Sequence, residues 1–191
     1  MTEYNNLVIT NPSAPAGKSL QYARLERERR FLLAELPAGE IVRRTNITDR
    51  YLSGTRLRLR RMVEARGDAA HTYYKFTQKI PGRDAGPGLL TTTYLSREEF
   101  DLLAVLPGST LRKVRYSIPP FGIDVFESPL SGLILAECEF EDDASMQSFV
   151  PPAWILAEVT RDLHFTGGQL ARMSPEDLPE LLLPFGLTST G

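Results

Sequence analysis

Apolar and polar residues alternate with a period of two over most of this sequence. Because successive side chains of a β-strand point to opposite faces, the pattern predicts strands rather than helices. The predicted strands span residues 22–34, 40–51, 55–64, 71–80, 89–95, 110–118, 121–128 and 132–141, with a short piece near 156–160. So many consecutive strands with a few helices between them predict an α+β fold, built on an antiparallel sheet or barrel.

Three short segments carry the signals of helices. Residues 96–106 begin at Ser96 and have Glu99 three positions later, which is the pattern of a capping box. Residues 143–149 predict a second helix that ends before a pair of prolines. Residues 175–183 predict a third, which starts with Pro175 at its first helical position.

The two ends of the chain differ in composition. Residues 1–19 are polar and rich in Pro, Ala and Asn, and we expect them to form a flexible tail. The remainder, 20–191, is predicted to be a single domain, because 191 residues are too few for two large ones. The segment 82–88 is a loop by composition.

The N-terminus has no signal-peptide pattern, and no apolar run is long enough to cross a bilayer. We therefore expect a cytoplasmic protein without a membrane partner.

Composition excludes several classes of protein. Hydrophobic residues make up 42% and charged residues 24%, which is a globular balance and excludes wholesale disorder. The net charge of −2 argues against a general nucleic-acid binder, since such proteins are usually basic. One cysteine, Cys138, permits neither an intramolecular disulfide nor a cysteine-cluster zinc site.

Charged residues recur at every second position of several predicted strands, and most of these rows carry one sign. The rows are Arg56, Arg58 and Arg60; Lys75 and Lys79 with Thr77 between them; Lys113 and Arg115; Glu137, Glu139 and Glu141; and the mixed row Glu26, Glu28 and Arg30. Each row taken alone is explained by a solvent-facing strand. Together, however, like charges along single strand faces repel one another unless something binds them. Guanidinium groups match phosphate oxygens, and clustered carboxylates match Mg²⁺ or Mn²⁺. The rows therefore predict a barrel of about eight strands whose interior is charged.

Six segments carry a family resemblance in chain order. They are Glu-Arg-Glu-Arg-Arg at 26–30, TRLRLR at 55–60, YKFTQK at 74–79, LRKVRY at 111–116, the Asp-bearing hairpin 121–141 that ends in Glu-x-Glu, and AEVT at 157–160. The sequence resembles the CYTH superfamily, the triphosphate tunnel metalloenzymes, over about residues 22–172. Arg30 stands where the family signature has lysine.

The resemblance implies a fold and a set of sites. It implies an eight-stranded antiparallel β-barrel, or triphosphate tunnel, with peripheral helices and bound Mg²⁺ or Mn²⁺. The expected metal ligands are Glu26, Glu28, Glu137 and Glu139. The expected phosphate-binding residues are Arg30, Arg56, Arg58, Arg60, Lys79, Lys113 and Arg115. Glu158 and Asp124 are expected as further acidic tunnel residues, either of which could orient an attacking water.

The predicted function is metal-dependent hydrolysis of a triphosphate, with inorganic tripolyphosphate as the leading substrate. Tunnel cations would neutralise the phosphate oxygens, and the metal would lower the pKa of the attacking water. Two alternatives stay open: a class IV-type adenylyl cyclase that makes cyclic AMP from ATP, and a non-catalytic polyphosphate-binding module. The expected partner is a small triphosphate-containing molecule and not a nucleic acid, and a homodimer is allowed for.

Overall fold

The computed structural model describes residues 22–66, 69–81 and 88–187. The predicted tail and most of the predicted loop 82–88 lie outside these residues, and the division of the chain at residue 20 stays a prediction. The strands are β1 (Arg24–Glu26), β2 (Glu28–Leu32), β3 (Arg43–Leu52), β4 (Leu57–Arg66), β5 (Ala69–Ile80), β6 (Gly88–Leu95), β7 (Gly108–Ile118), β8 (Phe121–Phe126), β9 (Ile134–Glu139) and β10 (Ala157–Glu158). The helices are α1 (Arg97–Ala104), α2 (Asp143–Ser148), α3 (Gly167–Leu170) and α4 (Asp177–Leu182), with 3₁₀ turns at Leu163–Phe165 and Leu183–Phe185.

The strands form one antiparallel sheet in the order β1-β6-β5-β4-β3-β7-β8-β9-β2-β10. The α+β class is confirmed, but the eight-stranded closed barrel is not, because this hydrogen-bonded order runs from β1 to β10 through ten strands. One reason for the larger number is that the predicted strand 22–34 is divided at Arg27. Its first part, β1, pairs with β6, whereas its second part, β2, pairs with β9 and with β10.

The helices follow the sequence signals closely. Ser96 Oγ accepts a hydrogen bond from the backbone N–H of Glu99 at 3.2 Å, and the Glu99 carboxylate accepts one from the backbone N–H of Ser96 at 2.7 Å, so the predicted capping box is present. The helix predicted from 175 begins at Asp177 instead. We did not predict α3, which is a single turn and too short to show a helical period.

Two apolar clusters lie on opposite faces of the sheet. The first covers the outward face of β2, β8 and β9, and it packs against the chain that follows α2; its buried members are Phe31, Leu33, Phe121, Ile123, Ala136 and Cys138. These three strands therefore turn apolar side chains away from the charged face, and the segment that covers them is not helical.

The second cluster belongs to the other face. On the strands it contains Leu32, Leu111, Phe126 and Leu135, and from the C-terminal segment it contains Phe165, Leu170, Leu178 and Leu182. Leu32, Leu111 and Leu135 are each two positions from a charged residue of the predicted rows, and Phe126 lines the same cavity as those residues, so the charged and apolar residues share one face. The C-terminal segment thus packs over one end of the charged face.

None of the helices within the described ranges combines the length and the hydrophobicity that crossing a membrane requires.

Candidate functional site: a charged cavity on one face of the sheet

Apart from Glu141, the residues of the charged rows line one cavity of about 2250 Å³. Twelve of the thirteen predicted site residues contribute to its wall, namely Glu26, Glu28, Arg30, Arg56, Arg58, Arg60, Lys79, Lys113, Arg115, Glu137, Glu139 and Glu158. Asp124 is not part of the lining. The alternation in sequence therefore does place the rows of β2, β4, β5, β7 and β9 on one shared face.

The cavity has the opposite charge to the protein as a whole. Thirteen Lys or Arg residues and six Glu residues line it, whereas the whole chain has 22 Lys and Arg against 24 Asp and Glu. Concentrating positive charge in a cleft with low-dielectric walls focuses the electrostatic potential there. The cavity is suited to a polyanion.

Arg58 and Arg60 of β4 share a buried counter-charge, Asp49 of β3. The Asp49 carboxylate accepts hydrogen bonds from Arg60 Nε at 2.6 Å and from Arg60 Nη2 at 2.8 Å, and it lies 3.6 Å from Arg58 Nε. Burial alone would raise the pKa of Asp49, but the charges of Arg60 and Arg58 outweigh it and lower that pKa below its usual range. Arg58 Nε is buried and has no hydrogen-bond partner within the described part of the chain.

Lys113 and Arg115 of β7 are held in the same way by Asp124 of β8. Lys113 Nζ donates to Asp124 Oδ2 at 2.5 Å, and Arg115 donates to both oxygens at 2.7 and 2.6 Å. Gly122 leaves the space for this contact, since a Cβ there would lie 3.3 Å from Arg115 Cδ. Asp124 is 1% exposed and both of its oxygens accept hydrogen bonds from cations, so the structure places it behind the basic pair rather than in the cavity.

Glu28 and Glu137 are joined by the guanidinium group of Arg30. Arg30 Nη2 donates to Glu28, Arg30 Nε donates to Glu137 at 3.2 Å, and Arg115 donates to the other oxygen of Glu137 at 2.5 Å. Burial and the charge of Glu137 raise the pKa of Glu28 to about 7. Burial would also raise the pKa of Glu137, but Arg115, Lys113 and Arg30 lower it well below the usual range.

Glu26 and Glu139 complete the predicted acidic set, and Glu139 is the exposed member of it. Glu26 pairs with Lys79 Nζ at 2.5 Å, and Lys79 also lies 3.6 Å from Glu28. Glu139 faces Glu28 directly across the β2–β9 ladder and lies 3.6 Å from Arg24. Two carboxylates opposite one another on neighbouring strands repel unless a cation lies near them.

Glu158 is not brought to this central group. It lies opposite Phe31 in the β2–β10 register, so its side chain shares the face of Arg29 and Phe31 rather than that of Glu28 and Arg30. Arg29 donates to both of its oxygens at 3.0 and 2.6 Å, and Thr160 donates to one at 2.6 Å. These hydrogen bonds, chiefly from Arg29, lower the pKa of Glu158. Its place in the cavity wall is therefore at the rim.

The sequence reasoning missed Asp49 altogether. The inward row of β3 contains Thr45, Ile47, Asp49 and Tyr51, which mixes polar, apolar and charged residues. The available signal was a lone carboxylate in a strand next to an arginine row, which is a weak signal when the pairing of the strands is unknown.

The four predicted acidic ligands have the oxygen atoms that Mg²⁺ or Mn²⁺ prefers, but they are not arranged as a complete set of metal ligands. Carboxylate oxygens are the ligands that these cations prefer, and Glu28, Glu137 and Glu139 lie close together in the β2–β9 register. Each of the four predicted ligands, however, pairs with a Lys or Arg side chain. Among the described residues, no group of three or more His, Cys, Asp or Glu is close enough to hold a metal ion by itself. A bound metal would therefore draw part of its ligand set from phosphate oxygens or water.

Comparison with known proteins identifies relatives of this chain. No protein-family model matches it. The chain is 32% identical over 159 residues to the inorganic triphosphatase of Nitrosomonas europaea, a match that covers 78% of this chain and 99% of that protein. It also resembles two crystal structures, each covering 78% of this chain with a TM-score of 0.53. One is of the hypothetical protein NE1496, with 29% identity and 99% of that chain covered. The other is of the inorganic triphosphatase NE1496, with 28% identity and 96% covered.

Proposed function

The chain belongs to the inorganic triphosphatase family, and we propose that it hydrolyses a phosphoanhydride bond of inorganic tripolyphosphate bound in the charged cavity. The observation that supports this substrate most strongly is the wall of the cavity, where thirteen basic residues gather in a protein of net negative charge. Tripolyphosphate is a short and highly charged polyanion, and rows of fixed cations on several strands match it.

We further propose that the sheet encloses a tunnel of the CYTH type. Two observations support this. Only Arg27 separates β1 from β2, so one continuous segment pairs with β6 on one side and with β9 on the other. Lys79 Nζ of β5 also lies 3.6 Å from Glu28 of β2, which joins two strands that are distant in the strand order.

In this proposal the two basic pairs, Arg58 with Arg60 and Lys113 with Arg115, hold the phosphate chain. Their charges would neutralise the non-bridging oxygens, both in the bound substrate and in the transition state. The unsatisfied Nε of Arg58 supplies a donor that a phosphate oxygen would satisfy. Arg30, Arg56 and Lys79 extend the phosphate-binding wall on either side.

Glu28, Glu137 and Glu139, with Glu26 beside them, would hold Mg²⁺ or Mn²⁺. Such an ion, when bound, would neutralise phosphate charge and lower the pKa of a water bound to it. The chain's own carboxylates would orient that ion towards the substrate. A role of Glu158 or Asp124 in orienting the attacking water stays a prediction. Lysine or arginine side chains already donate hydrogen bonds to the oxygens of both carboxylates. Location in the cytoplasm and a homodimer also stay predictions.

One observation favours a nucleotide as a second candidate substrate. Tyr73 and Tyr94 line the same cavity, and Lys75 Nζ lies 5.1 Å from the centroid of the Tyr94 ring. Flat aromatic rings beside cations are suitable surfaces for a nucleobase. Assays should therefore include ATP, with both phosphate release and cyclic AMP measured.

The double variant Glu137→Gln with Glu139→Gln tests the assignment. We expect it to abolish metal-dependent phosphate release from tripolyphosphate, because the amides lack the negative charge that attracts the metal. Asp143→Asn is the control, since Asp143 pairs with Arg27 outside the cavity and its loss should leave turnover unchanged. Wild-type rates in the double variant would contradict the assignment.

A further inference from the structure

We propose that Asp49 is a positioning residue, which fixes the guanidinium groups of Arg58 and Arg60 in the orientation that binds a triphosphate. The inference deepens the proposed function and rests on it, since it assumes that these two arginines contact phosphate. Asp49 itself touches neither substrate nor metal in this proposal. It acts through the arginines.

The position of Asp49 supports this role. Asp49 faces Arg60 directly in the β3–β4 register and is completely buried. Both arginines line the cavity and Asp49 does not, so the carboxylate lies behind them. The planar contact with Arg60 uses the Nε–H and one Nη2–H of its five N–H donors, which leaves the others for a ligand.

The same arrangement occurs a second time in the site. On the other side of β3, Lys113 and Arg115 line the cavity in front of buried Asp124. In both places two cations of one strand share an aspartate from the neighbouring strand. The repetition indicates that each basic pair has its own orienting carboxylate, rather than that one ion pair happens to be buried.

Charge and orientation predict opposite effects when Asp49 is neutralised. Removal of a carboxylate makes the cavity more positive, so electrostatics alone predicts tighter binding of tripolyphosphate. If the guanidinium groups of Arg58 and Arg60 lose their orientation, binding should weaken, because misplaced groups contribute much less binding energy. The sign of the change therefore distinguishes a positioning role from a merely electrostatic one.

The test compares Asp49→Asn with the wild-type chain. We expect the KM for tripolyphosphate to rise by about 10- to 100-fold, with a smaller change in kcat, because the arginines contact phosphate both before and in the transition state. Calorimetric titration with tripolyphosphate in a chelator should show the same loss of affinity without turnover. Circular dichroism establishes that the variant is folded.

Glu64→Gln is the matched control. Glu64 is also a buried carboxylate on this wall, and it pairs with Arg43 at 3.6 Å. Its neutralisation changes the cavity charge by the same amount without removing the carboxylate that holds Arg58 and Arg60. We expect an unchanged or lower KM for this variant.

Unchanged or tighter binding by folded Asp49→Asn would overturn the inference. If that variant does not fold, Asp49→Glu keeps the buried charge but moves the carboxylate by one methylene, and wild-type affinity in this variant would overturn it equally. If the wild-type chain neither hydrolyses nor binds tripolyphosphate, the proposed function fails as well. If the wild-type chain hydrolyses tripolyphosphate and Asp49→Asn binds it with unaltered affinity, only the role of Asp49 is refuted.

Discussion

Glu28 is predicted to make the protein less stable as the pH rises through the weakly acidic range. Its side chain is 17% exposed, and burial together with Glu137 raises its pKa from 4.5 to about 7. A raised carboxyl pKa means that the folded protein keeps a proton which the unfolded chain has already released. Stability is therefore highest below the unfolded pKa and is lost as the pH rises through the folded one. The difference between the two values corresponds to about 3 kcal/mol of unfolding free energy.

Urea unfolding of the wild-type chain and of Glu28→Gln, in a chelator, measures this contribution. Glutamine is neutral at every pH, so the variant should gain about 3 kcal/mol relative to wild type between about pH 5 and about pH 8. The lowered pKa values of Asp49 and Glu137 act in the opposite direction and at lower pH. The reasoning would be refuted if the difference in unfolding free energy between the two proteins stayed constant with pH. It would also be refuted if the wild-type chain became more stable relative to the variant as the pH rose.

Two further predictions concern the C-terminal segment that packs over one end of the charged face. Phe165→Ala should lower the unfolding free energy by about 3–5 kcal/mol, because Phe165 is fully buried in the second apolar cluster; a loss below about 1 kcal/mol in urea unfolding would contradict that packing. Gly167→Ala should destabilise the fold by about 1–3 kcal/mol, since a Cβ there would lie 2.0 Å from the Tyr51 hydroxyl. Gly168→Ala is its control, because the nearest atom to a Cβ there is 3.7 Å away. Equal midpoints for the two glycine variants in thermal unfolding would disprove the close contact.

The strands and the charged face could be predicted from the sequence because both depend on a local period of two. The rows on β4, β5, β7 and β9 needed only the rule that residues two apart share a face. The break at Arg27 could not be predicted in this way. Arg27 donates to the Asp143 carboxylate and to the backbone carbonyl of Glu141, and both partners are more than 110 positions away in the sequence.

The roles of the acidic residues were harder to predict than their location. Asp124 follows the alternation, yet only the pairing of β7 with β8 shows that Lys113 and Arg115 use its oxygens. Glu158 lies on a two-residue strand, which has no alternation to indicate its face. Its orientation comes from Arg29, a residue that sequence reasoning left out of the site.

Phosphate release from tripolyphosphate by the wild-type chain, with and without Mg²⁺ or Mn²⁺, tests the central claim most directly. Release from ATP and formation of cyclic AMP are measured in parallel. The proposed function predicts rapid, metal-dependent release from tripolyphosphate that exceeds the release from ATP. No release from tripolyphosphate with either metal, under conditions in which the chain is folded, would contradict the account.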